Sequence, residues 1–128
     1  MPGFRIHIPV PPSVNHLHAS GPGGRRYATR HYRQWIKDAG WSVRLQAPWP
    51  VAGRYCVAVL LPKVRGDIDN RLKAVLDLLR KLSLTADDRY CVSAKISSTG
   101  FDGDLAAVSV WPAAEAPSRD DQPESEVA

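Results

Sequence analysis

One apolar segment, residues 54–61, constrains the fold more than any other part of the chain. Its alternating positions are apolar on both faces, with Tyr55, Val57, Val59 and Leu61 on one and Cys56, Ala58 and Leu60 on the other. Strands that are apolar on both faces are typical of the interior of a sheet that is covered on each side. The segment therefore predicts a central strand, and the rest of the chain has to supply its neighbours and its cover.

The flanking segments alternate between strand and helix patterns. Residues 4–8 alternate apolar and polar side chains, and residues 89–97 and 105–111 are strand-like segments on either side of a turn at 100–103. Thr29 can cap a helix whose apolar residues recur at helical spacing and which ends before Pro48. A second helix is predicted from about residue 69 to 82, where leucines and a valine follow the i, i+3, i+4, i+7 rule.

The order β-α-β-α-β-β predicts one α+β domain at residues 1–112, with a mixed sheet of about four strands and two helices. A chain of 128 residues is long enough to bury the core of a single domain. Residues 113–128 are rich in Pro, Ser and acidic side chains and have little to bury, so we expect a disordered acidic tail there.

Charge is divided unevenly along the chain. The acidic tail holds five carboxylates against Arg119, a balance of −4, and the whole chain carries +4, so residues 1–112 carry +8. A basic domain whose carboxylates cluster in short segments is typical of a protein that binds a polyanion and holds a metal against it. An ordinary soluble domain with solvated lysines and arginines is the simpler alternative.

Neither a membrane protein nor a secreted one is expected. The longest apolar run is far shorter than the roughly 20 residues that span a bilayer, and the first residues lack a secretory apolar region. Cys56 and Cys91 lie in strand-like segments without metal-binding spacing, which favours small core residues in a reducing compartment. The expected location is the cytoplasm.

The segment with the most chemistry is residues 66–73, where the exit turn of the central strand becomes the second helix. Asp67 and Asp69 stand two residues apart at the helix N-terminus, and Mg²⁺ prefers a few carboxylates together with water and substrate phosphates. Lys73 falls on the same helix flank as Asp69 and Asp77 and can reach the same phosphate. The pattern predicts a magnesium site for phosphate chemistry, with Mn²⁺ as an alternative metal.

A structural interpretation of the same residues stays open. Asp67 or Asp69 can simply cap the helix, and Asp69 with Lys73 can form an ordinary i,i+4 ion pair. An EF-hand loop is excluded because Arg71 and Leu72 occupy a ligand position and the glycine position. A phosphate-binding loop is excluded by the lack of glycines, so no nucleotide cofactor is expected.

A second acidic pair, Asp87 and Asp88, follows the second helix, and a turn is its structural interpretation. A helix of about 13 residues carries the chain roughly 20 Å away from Asp69. The linker at 83–87 can return at most about 17 Å. Asp88 therefore either doubles back along the helix or completes the site of another subunit.

Three motifs together resemble the RusA family of Holliday junction resolvases. They are Pro-Pro-Ser-Val-Asn at 11–15, Asp-Ile-Asp-Asn-Arg-Leu-Lys at 67–73 and Leu-Thr-Ala-Asp-Asp-Arg at 84–89. The resemblance extends over roughly residues 4–112. It implies a homodimeric, magnesium-dependent crossover junction endodeoxyribonuclease, with Asp67, Asp69 and Asp88 as metal ligands. These three aspartates and Lys73 would be its catalytic residues.

A set of cationic and amide side chains is expected to contact DNA. Its members are Arg25, Arg26, Arg30, Arg33, Lys63, Arg65 and Asn70. Four of the arginines interleave with tyrosines, a composition suited to phosphates and unstacked bases. The structural interpretation is a solvated loop and helix face.

The sequence thus favours a structure-selective DNA endonuclease that resolves Holliday junctions by paired symmetric nicks, in DNA recombination and repair. Its expected substrate is a four-way junction, and its expected partner is a second copy of the chain. Two other functions stay open. One is a non-catalytic basic DNA-binding protein whose aspartates only cap a helix and a turn, and the other is a nuclease for flaps or other branched DNA.

Overall fold

The structure, a computed structural model, describes residues 2–13, 18–20 and 26–113, and only the backbone of 18–20 and 26–28. Along these residues the elements are β1 (Phe4–Pro9), β2 (His18–Ser20), β3 (Arg26–Ala28), α1 (Arg30–Gln46), β4 (Tyr55–Leu61), α2 (Leu72–Lys81), β5 (Cys91–Ser98) and β6 (Leu105–Pro112). A single 3-10 turn precedes α2 at Asp69–Arg71, and another precedes β5 at Asp88–Tyr90.

The main sheet is mixed, with the strand order β1-β6-β4-β5. β4 pairs in parallel with β5 and antiparallel with β6, which in turn pairs antiparallel with β1. A parallel pair needs a crossover connection, and α2 supplies it between β4 and β5. The predicted α+β class, with a mixed four-stranded sheet and two helices, is confirmed, and β4 is central as predicted.

The strands β5 and β6 follow one another in sequence but are not neighbours in the sheet, because β4 lies between them. Their connection crosses the end of β4 instead of forming a tight hairpin. Thr99 N donates to Leu61 O at 2.9 Å, and Lys63 N donates to Phe101 O at 2.7 Å. The turn signal at 100–103 therefore marks a connection and does not identify the partner of either strand.

The helix α1 begins and ends where the sequence predicts. Thr29 is its N-cap, and the Thr29 Oγ1 atom accepts a hydrogen bond from Tyr32 N at 3.1 Å. Its C-cap is Ala47, whose backbone is left-handed at a φ of 49°. Trp35 is buried, and its indole Nε1 donates to Pro9 O at 3.0 Å, which attaches α1 to the end of β1.

Both helices and one face of the sheet share a single core. Its fully buried members include Tyr32, Ala39, Val75, Leu78, Leu79, Ile6, Ile8, Tyr55, Val57, Leu61, Val108 and Val110. On the opposite face of β4, Cys56 is 7% exposed but Leu60 is 38% exposed. The prediction that β4 is covered on both faces is therefore right for one face and wrong at Leu60, because both described helices pack on the other side.

Two short strands before α1 were not predicted from the sequence. β2 and β3 pair antiparallel, with Ser20 opposite Arg26, while residues 21–25 lie outside the described part of the chain. The predicted acidic tail also lies outside the described residues beyond Ala113. Within the described residues, no helix is both long and apolar enough to cross a membrane.

Candidate active site

The predicted magnesium segment lies in the connection between β4 and α2. After leaving β4 the backbone turns at Gly66, whose φ of 77° is a left-handed conformation that glycine adopts without strain. Asp67 follows directly, and Asp69 opens the 3-10 turn before α2. Both aspartates are exposed. The turn thus presents two carboxylates, two residues apart, to solvent.

Neither of these carboxylates has the structural role that their position allows. The N-cap of the 3-10 turn is Ile68 and that of α2 is Arg71, and neither cap makes a side-chain hydrogen bond. Among the described residues, no ion pair joins Asp69 to Lys73. Helix capping and the i,i+4 pair therefore do not account for Asp67 and Asp69.

Lys73 bridges two carboxylates, neither of which belongs to Asp67 or Asp69. Its Nζ lies 3.2 Å from Asp77 Oδ1 and 3.2 Å from Asp88 Oδ2. Burial alone would lower the pKa of Lys73, but its hydrogen bonds to Asp77 and Asp88 outweigh burial, and the pKa is raised above its ordinary value. Lys73 therefore keeps its positive charge at neutral pH, and half of its side chain stays exposed.

The two members of the second acidic pair, Asp87 and Asp88, have different partners. Asp87 Oδ1 accepts a hydrogen bond from Arg89 N at 3.3 Å and caps the 3-10 turn, as the structural interpretation expects. Asp88 instead reaches back to Lys73. The chain therefore doubles back along α2, and Asp88 joins Lys73 within one subunit. A role in another subunit is not needed to bring these two side chains together.

The second oxygen of Asp88 gives a reason to expect a cation. Asp88 Oδ1 is buried and has no hydrogen-bond partner among the described residues. A buried carboxylate oxygen without a partner is costly, and a bound cation would remove that cost. A magnesium ion held by one or two carboxylates, with water and substrate phosphate completing its shell, fits this donor set.

The three predicted metal ligands are not gathered into one compact group. Within the described ranges, no cluster of three or more His, Cys, Asp or Glu side chains is placed to hold a metal ion. Asp67 and Asp69 belong to the turn before α2, whereas Asp88 lies with Lys73 against the helix. Mg²⁺ does not require such a protein cage, because it keeps several waters and binds substrate phosphates.

A cleft of about 420 Å³ opens beside Asp67. Its lining residues are Pro12, Ser13, His31, Arg65, Gly66, Asp67, Asn70 and Arg71. The cleft therefore brings the Pro-Pro-Ser motif, the first turn of α1 and the magnesium segment to one place, although the three are far apart in the sequence. Most of its ionisable groups are basic, which suits a phosphate-bearing ligand.

Arg71 joins two of these segments. Its NH1 donates to Pro11 O at 2.7 Å, and its NH2 donates to Arg65 O at 3.1 Å. Hydrogen bonds made by a charged donor are stronger than neutral ones. Arg71 thereby fixes the loop after β1 against the loop after β4. This role of Arg71 was not predicted from the sequence, because its partner Pro11 is 60 positions away.

We expect Arg71→Ala to lower the free energy of unfolding by about 2 kcal/mol, since it removes two charge-assisted hydrogen bonds and leaves the Pro11 carbonyl without its partner. Urea unfolding followed by circular dichroism measures the change. Arg65→Ala is the matched control, because this exposed neighbour contributes only its backbone carbonyl to the contact, and its variant should unfold like the wild type. Equal stability of the two variants would contradict the role of Arg71 in joining the two loops.

The predicted DNA-binding residues are placed as follows. Arg30 and Arg33 are exposed at the start of α1, and His31 between them lines the cleft. Arg65 and Asn70 also line the cleft, and Lys63 is exposed near it in sequence. Arg25 lies outside the described residues, and only the backbone of Arg26 is described. His31 was not among the predicted residues, because it does not belong to any of the three motifs.

Two comparisons with known proteins found no match. No protein-family model matches the chain, and no curated protein matches it significantly. The resemblance to the RusA family therefore depends on the three sequence motifs alone.

Proposed function

We propose that this chain is a magnesium-dependent endonuclease of the RusA type, which resolves Holliday junctions by paired symmetric nicks in DNA recombination and repair. One observation supports it above the others. Asp67 and Asp69 are exposed, cap no helix and form no ion pair among the described residues, in a turn beside a cleft with basic walls. Carboxylates without a structural role at such a place are suited to holding a metal against a phosphate.

The proposed chemistry is hydrolysis without a covalent intermediate. Asp67, Asp69 and Asp88 would hold magnesium, which when bound supplies Lewis-acid activation of the attacking water and stabilises the leaving oxygen. Lys73 keeps its proton and neutralises charge that builds on the scissile phosphate. Asn70, in the wall of the cleft, offers an amide to the DNA backbone or to a ligand.

The charge distribution supports a DNA substrate. Residues 1–112 carry +8, and Arg65, Arg71 and His31 line the cleft, with Arg30 and Arg33 exposed beside it on α1. Cations spaced along a surface release counterions from the DNA backbone, which gives affinity that falls with salt. Contacts between this surface and the DNA phosphates would position the protein on its substrate. The shape of the junction would make the protein select junctions over linear DNA.

A homodimer follows from the proposed reaction. One chain offers one Asp67, Asp69 and Asp88 set, but separating a junction into two duplexes takes two cuts. A closed two-fold assembly provides both from a repeated site, and its symmetry matches that of the substrate. We also propose that the protein acts in the cytoplasm, where the thiols of Cys56 and Cys91 would stay reduced.

The proposal is tested by comparing a static four-way junction, a flap and a linear duplex, each with Mg²⁺ and with a chelator. Cleavage of the junction alone, and only with Mg²⁺, is expected. Preferential cutting of the flap would make the chain a different structure-selective nuclease. Binding of DNA without cleavage under any condition would identify a non-catalytic DNA-binding protein and contradict the proposal.

Ending the chain after Ala113 should preserve folding and cleavage and should keep or raise the affinity for the junction. The cut is placed there because Ala113 N donates to Arg54 O at 2.8 Å, while the removed segment takes away a charge of −4. Thermal unfolding and junction titration measure both effects. A full-length variant with its tail acids changed to amides is the matched control and should gain affinity equally. A marked loss of thermal stability on truncation would contradict this view of the tail.

A further inference from the structure

Asp77 on α2 is a buried carboxylate that has no role in the chemistry proposed above. It is 5% exposed, and both of its oxygens are engaged. Oδ2 accepts a hydrogen bond from Tyr32 OH at 3.1 Å. Oδ1 lies 3.2 Å from Lys73 Nζ and 3.3 Å from Arg80 NH2. Asp77 therefore connects α1 to the lysine of the candidate active site, from a position with little solvent exposure.

The two oxygens of Asp77 have different roles. Tyr32 is itself fixed, since it is 2% exposed, lies parallel to Trp35 with ring centroids 6.3 Å apart and has Lys81 Nζ 5.4 Å from its ring centre. Because the Tyr32 hydroxyl occupies Oδ2, Oδ1 is turned towards the cations. A carboxylate anchored in this way holds the Lys73 ammonium in one direction, whereas a solvated carboxylate would not.

The orientation matters because Lys73 also contacts Asp88, and half of its side chain is exposed. A long lysine has many rotamers in water, and fixing it costs conformational entropy. The contact with Asp77 stabilises one of these arrangements before any ligand arrives. Preorganised charges of this kind stabilise a transition state without reorganisation during the reaction.

We propose that Asp77 is a positioning residue that holds the Lys73 ammonium at Asp88 and towards the scissile phosphate. The inference rests on the proposed nuclease function and adds a residue that acts only through Lys73. Asp77 is buried and paired on both oxygens, so it neither touches DNA nor binds metal. Tyr32 supports it from α1, 45 positions away in the sequence.

Asp77→Asn should lower the single-turnover cleavage rate of a four-way junction by about a hundredfold, the scale on which misplaced catalytic groups act. The dissociation constant for the junction should stay unchanged. Arg80→Gln is the matched control, because it removes the other cation from the same oxygen and leaves the Lys73 contact, so its rate should stay near wild type. Equal loss of rate in both variants would show a merely structural role and overturn the proposal.

A double-mutant cycle separates positioning from general damage. If Asp77 acts through Lys73, then Asp77→Asn should cause no further loss of rate in a Lys73→Ala background. If the loss of rate in the double variant equals the product of the losses in the two single variants, the proposal is overturned. Thermal unfolding checks that each variant is folded. If Asp77→Asn does not fold, Tyr32→Phe replaces it in the cycle, because it frees Oδ2 without removing the carboxylate and should give a smaller loss that also vanishes without Lys73.

A measurement on the side chain itself does not depend on nuclease activity. Nitrogen NMR resolves ordered lysine ammonium groups, and Lys73 is one of five lysines, identified by the signal that Lys73→Ala removes. The Lys73 signal should be narrow in wild type and Arg80→Gln and broadened in Asp77→Asn. An unchanged signal in Asp77→Asn would overturn the positioning role. If that signal does depend on Asp77 but the wild type cuts no DNA, the nuclease proposal fails and the positioning contact stands.

Discussion

Asp67→Asn, Asp69→Asn and Asp88→Asn are each expected to abolish cleavage of a four-way junction while leaving binding as tight as before or tighter. Each change removes a proposed metal ligand and one negative charge near the DNA phosphates. A bound metal would supply several kcal/mol of transition-state stabilisation, and each 1.4 kcal/mol or so is tenfold in rate, so we expect the loss to exceed about a thousandfold. Single-turnover cleavage and junction titration measure the two effects separately.

The neighbouring Asp87 provides a matched control for these three variants. Asp87→Asn makes the same change of charge one position before Asp88, but this carboxylate accepts a hydrogen bond from Arg89 N and is not proposed to hold metal. It should cut junctions at nearly the wild-type rate. Wild-type rates in any one of the three variants would remove that residue from the site. An inactive Asp87→Asn would show that charge near the turn, and not ligation, explains the losses.

Lys73→Ala should cut at least about a hundredfold more slowly than wild type and still bind the metal. The variant loses the cation that is proposed to face the phosphate, but it keeps the carboxylates of Asp67, Asp69 and Asp88. Calorimetric titration with Mn²⁺ measures metal binding apart from activity. Lys73→Arg keeps the charge and should recover part of the rate. A Lys73→Ala variant with full activity would contradict the role of this residue, and one that no longer binds metal would make the role structural.

The same variant has a cost in stability, because it leaves Asp77 buried with Arg80 as its remaining cation. A carboxylate in an apolar environment is destabilised when a partner is removed. Unfolding measurements are therefore needed beside the kinetic ones. They show how far a lower rate reflects a smaller folded fraction.

The local elements of this fold were predictable because local signals determine them. Thr29 as a cap and the apolar periodicity of the two helices depend on residues within a few turns of each other. Strand pairing is not local. β5 and β6 are separated by a turn of the kind that joins hairpins, yet the crossover through α2 places β5 beside β4 and leaves β6 on the other side. The uncovered face at Leu60 follows from the same arrangement, since both described helices pack opposite it.

The candidate site was predictable in composition but not in its contacts. The spacing of Asp67, Asp69 and Lys73 identified the segment, and spacing alone allowed an Asp69–Lys73 pair that the structure does not form. Lys73 pairs instead with Asp77 and Asp88. Periodicity cannot choose between two carboxylates on one helix flank, because the choice depends on tertiary neighbours. The roles of Tyr32 and Arg71 depend on partners 45 and 60 positions away.

The proposed paired nicks are tested by mapping cleavage on all four strands of an immobile junction, each labelled in turn, with Mg²⁺ or with a chelator. Light scattering of the same preparation gives the oligomeric state. We expect a dimer that nicks two opposing strands at symmetry-related positions, only when Mg²⁺ is present. A protein that leaves every strand intact with Mg²⁺, or a monomer whose nicks are confined to one strand, would contradict the proposal.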